Sequence, residues 1–208
     1  MRFLCAFLKK DIKMRIILAS KSPRRREILA TVGLDFEIIT SEADESSDEQ
    51  NPEKRVEILA ERKGRAVEEL LLSRGETLDG TLIIASDTLV HMDGSVLGKP
   101  SGRDSAREML SSLSGRGHFV SSGVYLSYEG RGVASFVTTA VRFADMTDAE
   151  IEKYLDTDEP YDKAGAYGIQ GIASLFIEGI EGDYFNVVGL PIRRLYKMAE
   201  DNFGIKLF

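Results

Sequence analysis

Residues able to do chemistry cluster in a few short stretches of this chain. The first is Ala19-Ser20-Lys21-Ser22-Pro23-Arg24-Arg25-Arg26-Glu27. Ser22 is a natural N-cap, and Pro23 falls at the first helical position, where a missing N–H costs nothing. A helix start collects free backbone N–H groups and the positive end of the dipole, so it favours an anion. Arginine adds forked donors that match phosphate oxygens. Consecutive arginines fan over about 200° of a helix, so Arg24, Arg25 and Arg26 cannot all face one ligand.

A second candidate is Asp87, expected at the carboxyl end of the strand Thr81 to Val90 or in a break before Leu89. Open α/β sheets gather ligands at such ends. A carboxylate there is a candidate general base or metal ligand, or else a turn aspartate capping its own backbone. Lys63 falls near the centre of the apolar stripe Val56, Leu59, Ala60, Val67, Leu70 and Leu71. Lysines are almost never buried unpaired. Either its stem packs while the amine snorkels outward, or the ammonium is aimed at an anion. Lys99, between Gly98 and Pro100, reads from spacing alone as a surface lysine. In Asp162 to Gly171, the glycines 165, 168 and 171 suit a loop whose backbone approaches a ligand closely. The acidic loop Ser41 to Gln50 reads as a solvated connection, though Asp44 or Glu45 could help hold a divalent cation.

The elements that must position these groups follow from pattern. Arg15 to Leu18 and Phe36 to Thr40 read as strands around a helix carrying Ile28, Leu29 and Val32, with Gly33 as its C-cap. Asn51-Pro52-Glu53 opens a long helix to about Ser73. The unalternated apolar run at Thr81 suits a strand buried on both faces. Asp93-Gly94 makes a hairpin turn, and a helix is expected from Ser101 to Leu113. His118 to Tyr128 and Gly132 to Phe143 read as paired strands joined by Glu129-Gly130-Arg131. Thr147-Asp148-Ala149-Glu150 is a capping box. Leu175 to Ile180 reads as a strand and Pro191 to Phe203 as a closing helix.

Bulk properties narrow the classes. A length of 208 residues suits one α/β domain, or a core with a small lobe. The net charge of −7 argues against a nucleic-acid binder acting through broad electrostatics, and an RNA-binding module would also need an aromatic stacking platform. The single Cys5 excludes an internal disulfide framework and fits a reducing compartment. His91 and His118 lack metal-ligand spacing. No G-x-S-x-G, P-loop or strand-borne G-x-G-x-x-G is present. No run approaches the about 20 apolar residues of a membrane span. Residues 1–13 have too short an apolar run for a signal peptide. They are expected to be a dispensable extension, with Met14 as the start of a single domain over 14–208.

Taken together, Ala19-Ser20-x-Ser22-Pro23-Arg24-Arg25, Ser86-Asp87-Thr88, Gly98-Lys99-Pro100, Leu113-Ser114-Gly115 and Asp162 to Gly171 resemble the Maf family of nucleoside triphosphate pyrophosphatases, in the family's order and from Met14 onward. The resemblance implies an α/β fold like that of inosine triphosphate pyrophosphatases, an elongated mixed β-sheet flanked by helices with a central cleft. It implies cleavage between the α- and β-phosphates, a divalent cation (Mg²⁺ or Mn²⁺), a homodimer and a cytoplasmic location, with no nucleic-acid or membrane partner. By the same resemblance Asp87 is the proton acceptor or acts through the metal, while Arg24, Thr88 and Gln170 select the base. Ser20, Arg25, Lys63 and Lys99 are phosphate contacts, and Asp44 joins Asp87 at the metal. Asp44 stands where the family usually has Glu, and Glu45 could substitute. Ser86 and Gly64 stand where the family usually has Ala.

The Gln170 match points to the branch acting on dTTP and UTP rather than on 7-methyl-GTP. An amide can accept from N3–H and donate to O4 of thymine or uracil, which present the same edge. Two alternatives are carried forward: hydrolysis of 7-methyl-GTP or other modified nucleotides, and a nucleotide-binding regulator of cell division without catalysis.

Overall fold

β-Branched and aromatic runs build one mixed sheet in the computed structural model, which describes residues 14–207; the expected extension 1–13 lies outside the described residues. The strands are β1 (Arg15–Leu18), β2 (Glu37–Ile38), β3 (Thr81–Met92), β4 (Ser95–Leu97), β5 (Gly117–Tyr128), β6 (Arg131–Phe143) and β7 (Ile177–Glu181). Their order is β2-β1-β3-β5-β6-β7, with β4 paired to the far part of β3. β1 is parallel to β2 and β3, and every other pairing is antiparallel. The helices are α1 (Pro23–Thr31), α2 (Pro52–Ser73), α3 (Arg103–Leu113), α4 (Asp148–Leu155), α5 (Tyr184–Val188) and α6 (Ile192–Phe203). None among the described residues is long and apolar enough to cross a membrane.

The unalternated run in β3 has the expected cause: both faces are covered. Leu82 and Ile84 pack with Ile28 and Leu29 of α1 and Leu195 and Met198 of α6. Their neighbours Ile83 and Ala85 pack on the other face with Ala60, Val67 and Leu71 of α2. The far half of β3 enters a separate core, where Val90 and Met92 meet Leu110 and Leu113 of α3 and Ile151 and Leu155 of α4. β3 and β5 therefore run through both cores.

α2 lies very close to the sheet. A Cβ on Gly123 of β5 would overlap the Val56 carbonyl, and one on Gly64 would overlap the Tyr125 ring. The large, fully buried Tyr125 thus accounts for glycine at position 64. Asn51 caps α2 by accepting from the N–H groups of Glu53 and Lys54, and Thr147 with Glu150 forms the expected capping box on α4.

The structure corrects several expected boundaries. β3 neither ends nor breaks at Asp87; its pairing with β5 is continuous from Leu82↔Tyr128 to His91↔Phe119. What ends is its other neighbour. β1 stops at Leu18, opposite Ile84, and β4 takes up the same edge only at Val90. Between them, Ser86 to Leu89 have a strand on one side only. β2 covers two residues rather than five, because it is an exposed edge paired to β1 alone. α3 begins at Arg103, after an extended Gly102. The β5–β6 turn is Glu129-Gly130, both at positive φ, and α5 was not anticipated.

Candidate active site

A cleft of about 1220 Å³ opens over that unpaired edge of β3. Alternation along the strand divides its chemistry, since successive side chains point to opposite faces. Asp87 continues the face of Ile83 and Ala85, towards α2, whereas Thr88 continues the face of Leu82 and Ile84, towards α1.

On the α2 side, Lys63 Nζ donates to Asp87 Oδ1 at 2.6 Å and lies 2.8 Å from Glu45 Oε1. The Lys63 and Asp87 side chains retain only 18% and 13% of their exposure. Of the two readings of Lys63, the structure shows the paired one: the ammonium reaches across the core edge to two carboxylates. Its hydrogen bond holds the Glu45 carboxyl below the ordinary range, helped by the charges of Lys99 and Arg25. Oδ1 is occupied by Lys63, and no hydrogen bond among the described residues reaches Asp87 Oδ2.

On the α1 side, Arg25 Nε donates to the Gly189 carbonyl at 2.9 Å, Nη1 to Ser20 Oγ at 3.1 Å and Nη2 to Thr88 Oγ1 at 3.1 Å. All three acceptors are neutral, and no carboxylate among the described residues lies within 4 Å of the guanidinium. Desolvation lowers its pKa, opposed mainly by the charge of Asp87. Thr88 Oγ1 also lies 2.9 Å from Ser122 Oγ, whose own proton goes to the Asn186 carbonyl at 3.0 Å. The Thr88 hydroxyl proton therefore points towards Ser122 or Gly189, leaving a lone pair for Arg25. Ser22 occupies the N-cap position of α1 without a side-chain capping bond; its N–H donates to Ser20 Oγ instead.

At the mouth, Arg24 Nη1 lies 4.0 Å from Asp162 Oδ2, joining α1 to the glycine loop. Gln170 and Lys99 line the cleft with exposed side chains. Ser20, Arg24, Arg25, Lys63, Asp87, Thr88, Lys99 and Gln170 are thus brought together. Asp44 is not. Its carboxylate accepts from the Ser46 N–H and hydroxyl, both at 2.8 Å, and faces Arg62 at 3.6 Å outside the cleft. The next residue, Glu45, lines the cleft in its place.

Two contributors were missed from sequence. Glu159 accepts from the N–H groups of Ile172 at 2.8 Å and Ala173 at 3.2 Å and from Tyr154 Oη at 2.9 Å. A Cβ on Gly171 would overlap this carboxylate, so it packs tightly beneath the turn that carries Gln170. The other is the Gly189 carbonyl, which accepts from Arg25 and from the buried Ser86 hydroxyl at 3.1 Å. Gly189 has φ +125°, a conformation open to glycine, and this aims its carbonyl inward. The bond also accounts for serine at position 86. A lone glutamate in a turn has no pattern to read, and a carbonyl has no letter.

Comparison with known proteins identifies the family. The profile described as Maf-like protein matches residues 15–202. A dTTP/UTP pyrophosphatase of Thermoanaerobacter sp. (strain X514) is 45% identical over 196 residues, covering 93% of this chain and 100% of that protein. One from Clostridioides difficile (strain 630) is 44% identical over 198 residues, covering 94% and 98%. A solved structure, the Staphylococcus aureus Ham1 protein, overlaps 63% of this chain and 72% of its own at a TM-score of 0.45 and 14% identity. With the match running from the first strand to the last helix, the chain belongs to the Maf family.

Proposed function

We propose that the protein hydrolyses dTTP and UTP to the nucleoside monophosphate and pyrophosphate. The observation that carries this reading is the opposition of two charges across the cleft floor. Arg25 has a guanidinium with only neutral partners, and Asp87 has one oxygen fixed by Lys63. An uncompensated guanidinium calls for an anion, and a carboxylate with a free oxygen beside it can take a proton from water. The names of the relatives support the substrate class, and Gln170 at the cleft mouth supports pyrimidine reading through N3–H and O4.

In this mechanism Lys63 fixes Asp87 so that Oδ2 accepts the proton of an attacking water. The water oxygen bonds to the α-phosphorus. The bond from that phosphorus to the bridging oxygen breaks, and its electron pair leaves with pyrophosphate. Arg25, Ser20 and Lys99 take up the negative charge spread over the phosphate oxygens. Thr88 contributes by accepting from Arg25, and Arg24 borders the base end with Gln170.

A divalent cation fits the donor set. Mg²⁺ is commonly held by one or two carboxylates together with substrate phosphates. Glu45 lines the cleft beside Asp87, held next to it through Lys63, so Glu45 would hold the ion while Asp87 Oδ2 takes the proton. No group of three or more His, Cys, Asp or Glu able to hold a metal occurs among the described residues, so phosphate oxygens would complete the ligands. Bound there, the ion would neutralise phosphate charge. Glu45 is the cleft's second carboxylate in this proposal, in place of Asp44.

The test is pyrophosphate release from a panel of nucleoside triphosphates with Mg²⁺ or Mn²⁺. Wild type should turn over dTTP and UTP fastest. Asp87→Asn should lose about a hundredfold or more in kcat at an unchanged fold. Near-wild-type turnover by the variant would remove Asp87 from the mechanism, and a preference for purines would discard the role of Gln170.

A further inference from the structure

Arg55 takes no part in the chemistry above, yet its setting is unusual. It lies on α2 in the same row as Leu59 and Lys63, and all three line the cleft. Positions 55, 59 and 63 are successive four-residue steps, which keep them on neighbouring parts of one helix face. Arg55 sits about 12 Å along the axis from Lys63, towards the start of the helix. Its Nε is buried with no hydrogen-bond partner, and its guanidinium makes no ion pair or side-chain hydrogen bond among the described residues. The acidic residues within a turn of it are engaged elsewhere: Glu53 accepts from Thr138 Oγ1 and Glu57 from Lys54 Nζ, at 2.8 and 2.7 Å. The first N–H groups of α2 are taken by Asn51. Burying a donor without a partner forfeits its bonds to water with nothing in return, and such a group in a native fold calls for an explanation.

We infer that Arg55 binds the terminal phosphates of the substrate and holds the pyrophosphate as it departs. This rests on the pyrophosphatase reading, and it gives the cleft a direction. The base lies at the glycine-loop end with Gln170, the α-phosphate at Asp87, and the phosphate tail runs along α2 past Lys63 towards Arg55. A guanidinium suits this place because pyrophosphate offers paired oxygens to its fork.

The experiment compares wild type, Arg55→Met, which keeps an apolar stem, and Arg55→Lys, which keeps the charge. Product inhibition of dTTP hydrolysis is measured with pyrophosphate and, separately, with dTMP, and pyrophosphate binding is followed by calorimetry. Arg55→Met should weaken pyrophosphate inhibition and binding at least tenfold and leave dTMP inhibition within twofold. Arg55→Lys should recover part of the loss. Unchanged pyrophosphate inhibition, or equal weakening of pyrophosphate and dTMP, would overturn the assignment. Should wild type release no pyrophosphate from any triphosphate, the pyrophosphatase reading fails. Calorimetry with pyrophosphate then decides the Arg55 site by itself: a wild-type affinity lost in Arg55→Met sustains it, and equal or absent binding ends it.

Discussion

Arg25 and His118 show how single residues carry unequal loads in this fold. Arg25 keeps its charge among neutral oxygens at the cleft, whereas His118 is kept from carrying one. It is buried, with Nε2 2.7 Å from Tyr167 Oη and Nδ1 unpartnered. Burial pushes the imidazole down to about 4, with a smaller push from His91. A folded value below the unfolded one means that between about pH 6.5 and 4 the unfolded chain binds a proton that the native state does not. The contribution of His118 is therefore full above pH 6.5 and fades as pH falls towards 4. In urea denaturation, wild type should lose about 2–3 kcal/mol more than His118→Gln between pH 7 and 4.5. Equal losses would show that His118 is not responsible. Tyr167 borders the cleft, so the same protonation should loosen the loop that presents Gln170.

At the scale of elements, α2 is the piece on which the site depends. It brings Lys63 and Arg55 to the cleft, and its seat on β5 is set at Gly123, where no side chain fits under the Val56 carbonyl. Gly123→Ala should destabilise the fold by about 1–3 kcal/mol, because a backbone atom rather than a side-chain tip must move. It should also lower kcat by displacing Lys63 from Asp87. Thermal unfolding and turnover measured together check both, and a variant of wild-type stability would mean that α2 can ride higher. The bounds of α2 were legible because Asn51-Pro52 and Gly75 punctuate a long stripe, and the hairpins and capping box were legible from turn chemistry. The continuity of β3 through Asp87 was not. A polar residue inside an apolar run looks like an end, and only the positions of β1 and β4 show that the neighbour stops instead. The five residues of α5 are too few for a 3.6-residue period to register. Charged groups such as Arg25, Lys63 and Asp87 announced themselves by type, but the pairing of Lys63 with Glu45 rather than any contact with Asp44 depends on how a loop without pattern folds back.

For the whole molecule, the decisive feature is that β3 and β5 pass unbroken from one core into the other. Two lobes joined by a flexible connection could part like jaws. Here a hinge would have to shear a continuous ladder of inter-strand bonds from Leu82 to His91, so the floor of the cleft acts as a rigid beam and only its rims can yield. The rims are the acidic segment 41–50 and the segment 159–172, which carry Glu45 and Gln170. Hydrogen exchange with and without pyrophosphate and dTMP should therefore show protection gained in those two segments, while the slow amides of β3 and β5 keep their rates. A change spread evenly along both strands would mean that the beam flexes. Entry and release would then be matters of twisting the sheet, and mutations far from the cleft, anywhere along those strands, would set the turnover rate.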